Sequence, residues 1–351
     1  MGEILFFLIF AILRRKSYNF EETIENIEMR HIFLIIALIG SMLITGFSCL
    51  SSKKAQTEPV EEDLTPVEII APDTFLLPHI PEIMKDPEER AKYLVMHYWD
   101  RFDFIDQNLI RRPEITEQAF VDYINILGYV SNEEADASLI YTLRKAEIDT
   151  MMYVHFTELF EKYLYEPNSP FRNEEFYLPV LQEVVNSPLL TEELRSRYGF
   201  QQEMARKNRI GDSANDFTYT VSSGQSFRLY DLKSEYTLLM FTNPGCSTCA
   251  AVTEHLNKSR ELNDALALNS STRTMLTILA LSPDNDLQEW SAHLPEIPRH
   301  WVYAYDKSGE IEAKKLYDIK AFPTLYLLDK DKKVVLKDTS VEMIELFFSV
   351  H

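Results

Sequence analysis

Apolar positions fall into two textures along this chain. Across residues 81–208 they recur at spacings of three and four, the signature of helices buried on one side. Pro87-Glu88-Glu89 opens a run predicted to continue through residue 105, with Leu94, Val95, Tyr98, Trp99, Phe102 and Ile105 on its apolar side. Thr116-Glu117 starts a second, carrying Phe120, Tyr123, Ile124 and Leu127, and Asn132-Glu133-Glu134 a third, carrying Ala135, Leu139, Ile140 and Leu143. Further helices are predicted over 151–165, about 174–185 and 191–207. Each opens on polar residues that can satisfy the free N–H groups of a first turn.

From about residue 210 the apolar residues gather into short runs instead. The stretch 236–242 (YTLLMFT) reads as a buried central strand, followed by strands over 275–281 and 301–305. Helices are predicted from Ala250 onward, with Val252, Leu256 and Leu262 facing inward, and over 286–294 and 311–317. A strand, a turn at 329–332 and a second strand make a hairpin, and 341–348 is a closing helix. Strands alternating with helices predict an α/β domain over 210–351, preceded by a separate, mostly helical domain over 81–209.

The N-terminal part has a different character. Residues 32–48 are apolar and uncharged, follow Met29-Arg30-His31 and end at Cys49, the layout of an export signal. The ending ITGFSC resembles a bacterial lipobox, with Gly46 where a Leu-like residue is usual. That resemblance implies cleavage before Cys49 and acylation of that cysteine, since several acyl chains anchor a protein firmly where one does not. The competing reading is an uncleaved membrane span. Residues 1–28 sit awkwardly ahead of this signal, and Met29 is the expected start. Residues 50–80, rich in acids and punctuated by Pro59, Pro66, Pro72 and Pro78, are expected to form a flexible acidic tether after the signal region 1–49.

Charge narrows the function. A formal net charge of −20 over 351 residues repels a phosphate backbone, so nucleic acid is not an expected partner. Three cysteines are too few for a disulfide-stapled scaffold. Two cysteines alone do not make a zinc site, and no histidine has companion spacing, so no metal is expected. His97 and His155 are isolated and read as packed or surface residues.

The chemistry is concentrated at Cys246 and Cys249. They follow the strand 236–242 and sit where a helix begins. A helix N-terminus offers unpaired N–H groups and partial positive charge, which stabilise a thiolate on Cys246. Ser247 and Thr248 hold Cys249 within disulfide reach, so Cys246 is the expected nucleophile and Cys249 the resolving thiol.

These features resemble the TlpA/ResA branch of thioredoxin-like proteins over about residues 211–351. The resemblance rests on Gly211, Ala214, Asp216 and Phe217 at the domain entry, on the Cys246-Ser247-Thr248-Cys249 helix start, and on Phe322-Pro323-Thr324 before the hairpin. It implies a thioredoxin fold with cis-Pro323 facing the cysteine pair. The implied catalytic residues are Cys246, Cys249 and Pro323, with Pro244, Gly245, Phe322 and Thr324 lining the substrate. The redox-active cysteine pair is then the only cofactor.

The helical region resembles the domain that precedes thioredoxin-like domains in Bacteroidetes lipoproteins. The implied protein is a membrane-tethered thiol-disulfide oxidoreductase of the bacterial cell envelope, facing the periplasm. Its implied partners are disulfide-bearing envelope proteins, a membrane thiol donor of the DsbD/CcdA type, and the membrane itself through the lipid on Cys49.

Two departures stand out. Asn243-Pro244-Gly245 replaces the segment that usually carries a tryptophan before the first cysteine, and Met240 replaces a buried acid six residues before it. Glu254 is then a candidate proton carrier for Cys249. Three rivals stay open: a non-catalytic binding module with structural cysteines, a disulfide isomerase, and a peroxiredoxin-like peroxidase. The last lacks its threonine, because Asn243 stands there and Thr242 is one step early.

Overall fold

Six helices fill the first half of the computed structural model, which describes residues 74–350 apart from 285. The export signal, Cys49 and most of the expected tether lie outside the described residues. All described residues belong to one compact unit, Ile70–His351. Among them, no helix is long and apolar enough to cross a membrane.

The helices are α1 (Pro87–His97), α2 (Thr116–Ile126), α3 (Asn132–Ala146), α4 (Thr150–Leu164), α5 (Glu174–Val184) and α6 (Glu192–Ala205). Their starts follow local chemistry. Asp86 accepts the N–H groups of Glu88 and Glu89 ahead of Pro87, and Ser131 and Glu134 form a reciprocal capping box. Asp149, Asn173 and Thr191 cap α4, α5 and α6 in the same way.

The helix predicted through residue 105 stops at His97 instead. Turn bonds from Asp100 to His97 and from Phe102 to Trp99 replace the helical ladder. This brings Trp99, Phe102 and Phe104 together around Phe156, with ring centroids 5.0–5.7 Å from it. A straight helix could not deliver such closely spaced residues to one point. Phe75, in the stretch read as tether, already stacks on Tyr98 at 5.0 Å.

The second half is a seven-stranded mixed sheet in the order β2-β1-β5-β4-β3-β6-β7. Its strands are β1 (Thr218–Val221), β2 (Ser226–Arg228), β3 (Tyr236–Phe241), β4 (Leu276–Ser282), β5 (Val302–Tyr305), β6 (Thr324–Asp329) and β7 (Val334–Leu336). β3 lies parallel to β4 and antiparallel to β6, and is buried through Leu238, Leu239, Met240 and Phe241. The accompanying helices are α7 (Ser247–Lys258), α8 (Arg260–Ala267), α9 (Leu287–Ala292), α10 (Glu310–Ala313) and α11 (Val341–Ser349).

Three details differ from the sequence expectation. The helix after the cysteines starts at Ser247 rather than Ala250, and breaks at Ser259, whose extended backbone starts α8. The helix expected over 311–317 is a single turn, ended by Lys315 in the left-handed region. The edge hairpin β1–β2, closed by Gly224 at φ +81°, is too short to show a period of its own.

The two halves are joined by a buried ionic cluster. Lys320 pairs with Glu174 at the start of α5 and lies 3.2 Å from Asp318. Lys337 reaches Glu174 at 2.6 Å, and Arg172 pairs with Asp338 at 3.3 Å. The side chains of Lys320, Lys337 and Glu174 are each under a tenth exposed. The Tyr165 hydroxyl donates to Asp318, and its ring lies beneath the Lys320 ammonium at 3.9 Å. Burial opposes ionisation of Glu174, but Lys320 and Lys337 outweigh it and hold its carboxyl below the usual range. Lys320 and Asp318 belong to the loop that leads into Pro323, so the helical half grips the same loop that faces the cysteines.

Candidate functional site

The site begins at the end of β3, where the buried strand meets the surface. The Cys246 N–H donates to the Asn243 carbonyl at 3.2 Å, closing a four-residue turn. Pro244 and Gly245 occupy its two central positions, and Gly245 has φ +73°. This is the pattern of a type II turn, in which proline presets the first corner and glycine accepts the left-handed second. The turn sets Cys246 at the N-cap of α7.

The Cys246 sulfur is itself the cap, accepting the Cys249 N–H at 3.1 Å. An N-cap normally offers an oxygen; here the acceptor is the reacting atom. The two cysteines are disulfide-bonded, with Cα atoms 5.2 Å apart. They are not equivalent: Cys246 is half-buried at the rim, whereas Cys249 is 3% exposed. Met240 is fully buried in β3, so the position of the acid found in some thioredoxins is apolar here.

Opposite the sulfur stands the loop before β6. The Phe322-Pro323 bond is cis, and the Phe322 carbonyl oxygen lies 3.8 Å from Cys246 Sγ. Thus Cys246, Cys249, Pro244, Gly245, Phe322 and Pro323 are brought to one place. Thr324 is there too, but its hydroxyl is buried and donates to the Ala321 carbonyl at 2.7 Å, so that group is already engaged. Glu254 lines the same groove, yet its carboxylate is paired with Lys258 and held below the usual range by that bond. A carboxylate of that kind is a weak proton acceptor.

A cavity of about 320 Å³ opens beside the cysteines, walled by Thr253, Asn257, His293, Ile297, Pro298 and Tyr303. His293 is a residue that the sequence reading passed over. Its Nδ1 is fixed on the Glu289 carbonyl at 3.0 Å, and its Nε2 faces Gly245. Only the packing of α9 beside the β3–α7 turn brings it there. Among the described residues, no group of three or more His, Cys, Asp or Glu side chains is placed to hold a metal ion.

The fold and the capped cysteine pair define a thioredoxin-like domain of the thiol-disulfide oxidoreductase kind. Comparison with known proteins agrees. Residues 234–334 match the family described as thioredoxin-like, and residues 48–208 match a domain of unknown function, DUF5106. A crystal structure of a thioredoxin-like protein from Bacteroides caccae is similar over 80% of this chain and 100% of its own, at 44% identity and a TM-score of 0.75. The thiol-disulfide oxidoreductase ResA of Bacillus thuringiensis is 27% identical over 133 residues, 37% of this chain and 69% of the relative, as is that of Bacillus cereus. This chain belongs to the thioredoxin-like family of the Bacteroides caccae protein.

Proposed function

We propose that this protein is a thiol-disulfide oxidoreductase that reduces disulfides in envelope proteins through Cys246 and Cys249. The observation that carries the reading is the asymmetry of the pair: Cys246 caps α7 with its sulfur at the rim, and Cys249 is buried behind it. In the dithiol form the same N–H groups favour a thiolate on Cys246. That thiolate attacks one sulfur of a substrate disulfide. The substrate S–S bond breaks, a mixed disulfide forms, and the first substrate thiolate leaves and takes up a proton. Cys249 then loses its proton and attacks Cys246 Sγ. The Cys246–Cys249 bond forms and the second substrate thiol is released. Two electrons and two protons pass to the substrate. A dithiol donor, expected to be a membrane protein of the DsbD/CcdA type, returns the pair to its reduced form.

No cofactor beyond the cysteine pair is needed for these steps. We further propose that the protein faces the periplasm, tethered to the membrane by acyl chains on Cys49. The lipobox-like ending at that residue supports this reading.

The test is redox equilibration of the full chain, purified in detergent, in glutathione and dithiothreitol buffers, with alkylation and mass readout. Rapid exchange and a potential near the about −270 mV of thioredoxin would support a reductase. A pair that barely exchanges would leave only a binding role.

A further inference from the structure

A second cavity, of about 620 Å³, adjoins the cysteine site. Its walls come from both halves of the molecule. The helical half supplies Tyr165, Phe200 and Met204; the sheet half supplies Asn243, Ile319 and Phe322. Asn243 also lines the cavity beside the cysteines, so the two spaces meet at that residue. Phe322 connects them chemically, because its carbonyl is the group beside Cys246 Sγ.

Phe200 is the conspicuous member. It is a large apolar residue, 43% exposed, with the Lys315 ammonium over its ring at 4.6 Å. Met204, one helical turn on, is buried. Lys337 ties this wall to the ionic cluster, donating to the Ala205 carbonyl at 2.9 Å while pairing with Glu174.

We propose that the helical domain is the specificity element of the site, and that this cleft receives an apolar side chain next to the reactive cysteine of an extended protein substrate. The inference rests on the oxidoreductase reading above. A polypeptide joined to Cys246 in the mixed disulfide must run past Phe322, and its flanking residues then enter the space between Phe322 and Phe200. Asp284, Glu312 and Lys315 are also part of the cleft's lining, and the apolar surface of Phe200, Ile319 and Phe322 favours an aliphatic or aromatic side chain over a polar one. A sheet domain without the helices would have only one side of this cleft.

The experiment uses the full chain, reduced and in detergent, with two synthetic peptide disulfides that differ only in carrying Leu or Ser beside the cysteine. A small aromatic disulfide serves as a third oxidant for the wild type. The wild type is expected to prefer the Leu peptide by about tenfold in kcat/KM, the discrimination that one apolar contact in a pocket supplies. Phe200→Ser should bring that ratio close to one, and Phe200→Leu should keep it. A ratio is insensitive to how much of the variant folds. Equal rates for the two peptides in the wild type, or a preference that survives Phe200→Ser, would overturn the proposal while leaving the oxidoreductase reading intact. Failure of the wild type to react with any of the three disulfides would instead remove that reading, and this inference with it.

Discussion

The carbonyl oxygen of Phe322 stands 3.8 Å from the sulfur of Cys246, across 76 residues of chain. This contact joins the Pro244-Gly245 turn to the cis Phe322-Pro323 loop. In the proposed mechanism, a substrate in mixed disulfide with Cys246 lies between them. The Phe322 backbone forms one bank and the groove beside His293 the other.

The unequal burial of the two cysteines predicts unequal variants. Cys249→Ser should accumulate a mixed disulfide on Cys246 when mixed with a disulfide peptide, visible as a mass adduct. Cys246→Ser should show little adduct, because Cys249 is 3% exposed. Equal adducts on both variants would contradict the assignment of nucleophile and resolving thiol.

Gly245 is predicted to resist substitution even though a Cβ there meets nothing closer than His293 Nε2 at 3.9 Å. The obstacle is the backbone, at φ +73°. Gly245→Ala should cost about 1 kcal/mol of stability and slow disulfide exchange by displacing the N-cap. Chemical denaturation together with exchange kinetics would check both. A variant with unchanged stability would show that the turn relaxes freely.

Lys320→Met should be among the most damaging single changes in the chain. It leaves Glu174 and Asp318 buried with one partner fewer, a situation that costs about 3–5 kcal/mol. The loss should appear in thermal unfolding, and exchange at Cys246 should fall as well, since Lys320 belongs to the loop carrying Phe322. Wild-type stability in this variant would mean that the cluster contributes nothing to joining the two halves.

A pH effect is expected from His155. Burial lowers its pKa from the ordinary 6.5; the Glu117 carboxylate opposes this and Lys162 reinforces it. The unfolded chain therefore binds a proton at a higher pH than the folded one. Stability from this group is full above about pH 6.5 and is lost as pH falls from there toward the folded pKa. His155→Gln should flatten the stability profile in that window, as measured by urea unfolding at a series of pH values. An unchanged slope would assign the acid sensitivity to other groups.

How much of this was legible in advance varies by feature. The strand 236–241 and the cysteine pair after it were readable, because a run of buried apolar residues followed by Pro-Gly has few alternatives. Helix starts were readable at Pro87 and Asn132, one residue after the caps Asp86 and Ser131, whereas the start expected at Thr116 follows Ile115 and has no side-chain cap. The end of α1 at His97 was not, because the apolar spacing through Ile105 continues undisturbed while the competing aromatic cluster is drawn from Phe75 and Phe156. Glu254 was singled out for lying near the cysteines in sequence, and its pairing with Lys258 gives it another occupation. His293 and Phe200 carried no signal at all.

What the sequence by itself determined, then, is what short-range physics governs: where most helices and the central strands begin, and which two cysteines stand at disulfide spacing. The tertiary structure alone decided which distant groups surround that disulfide. Phe322 reaches Cys246 through the pairing of β6 with β3, and Phe200 comes to line one cavity with Phe322 across a seam of buried charges. Lys320 and Glu174 lie 146 residues apart. No local pattern records such a pairing, because it depends on which distant segments the fold packs together, and the attraction is strong only where both charges are buried.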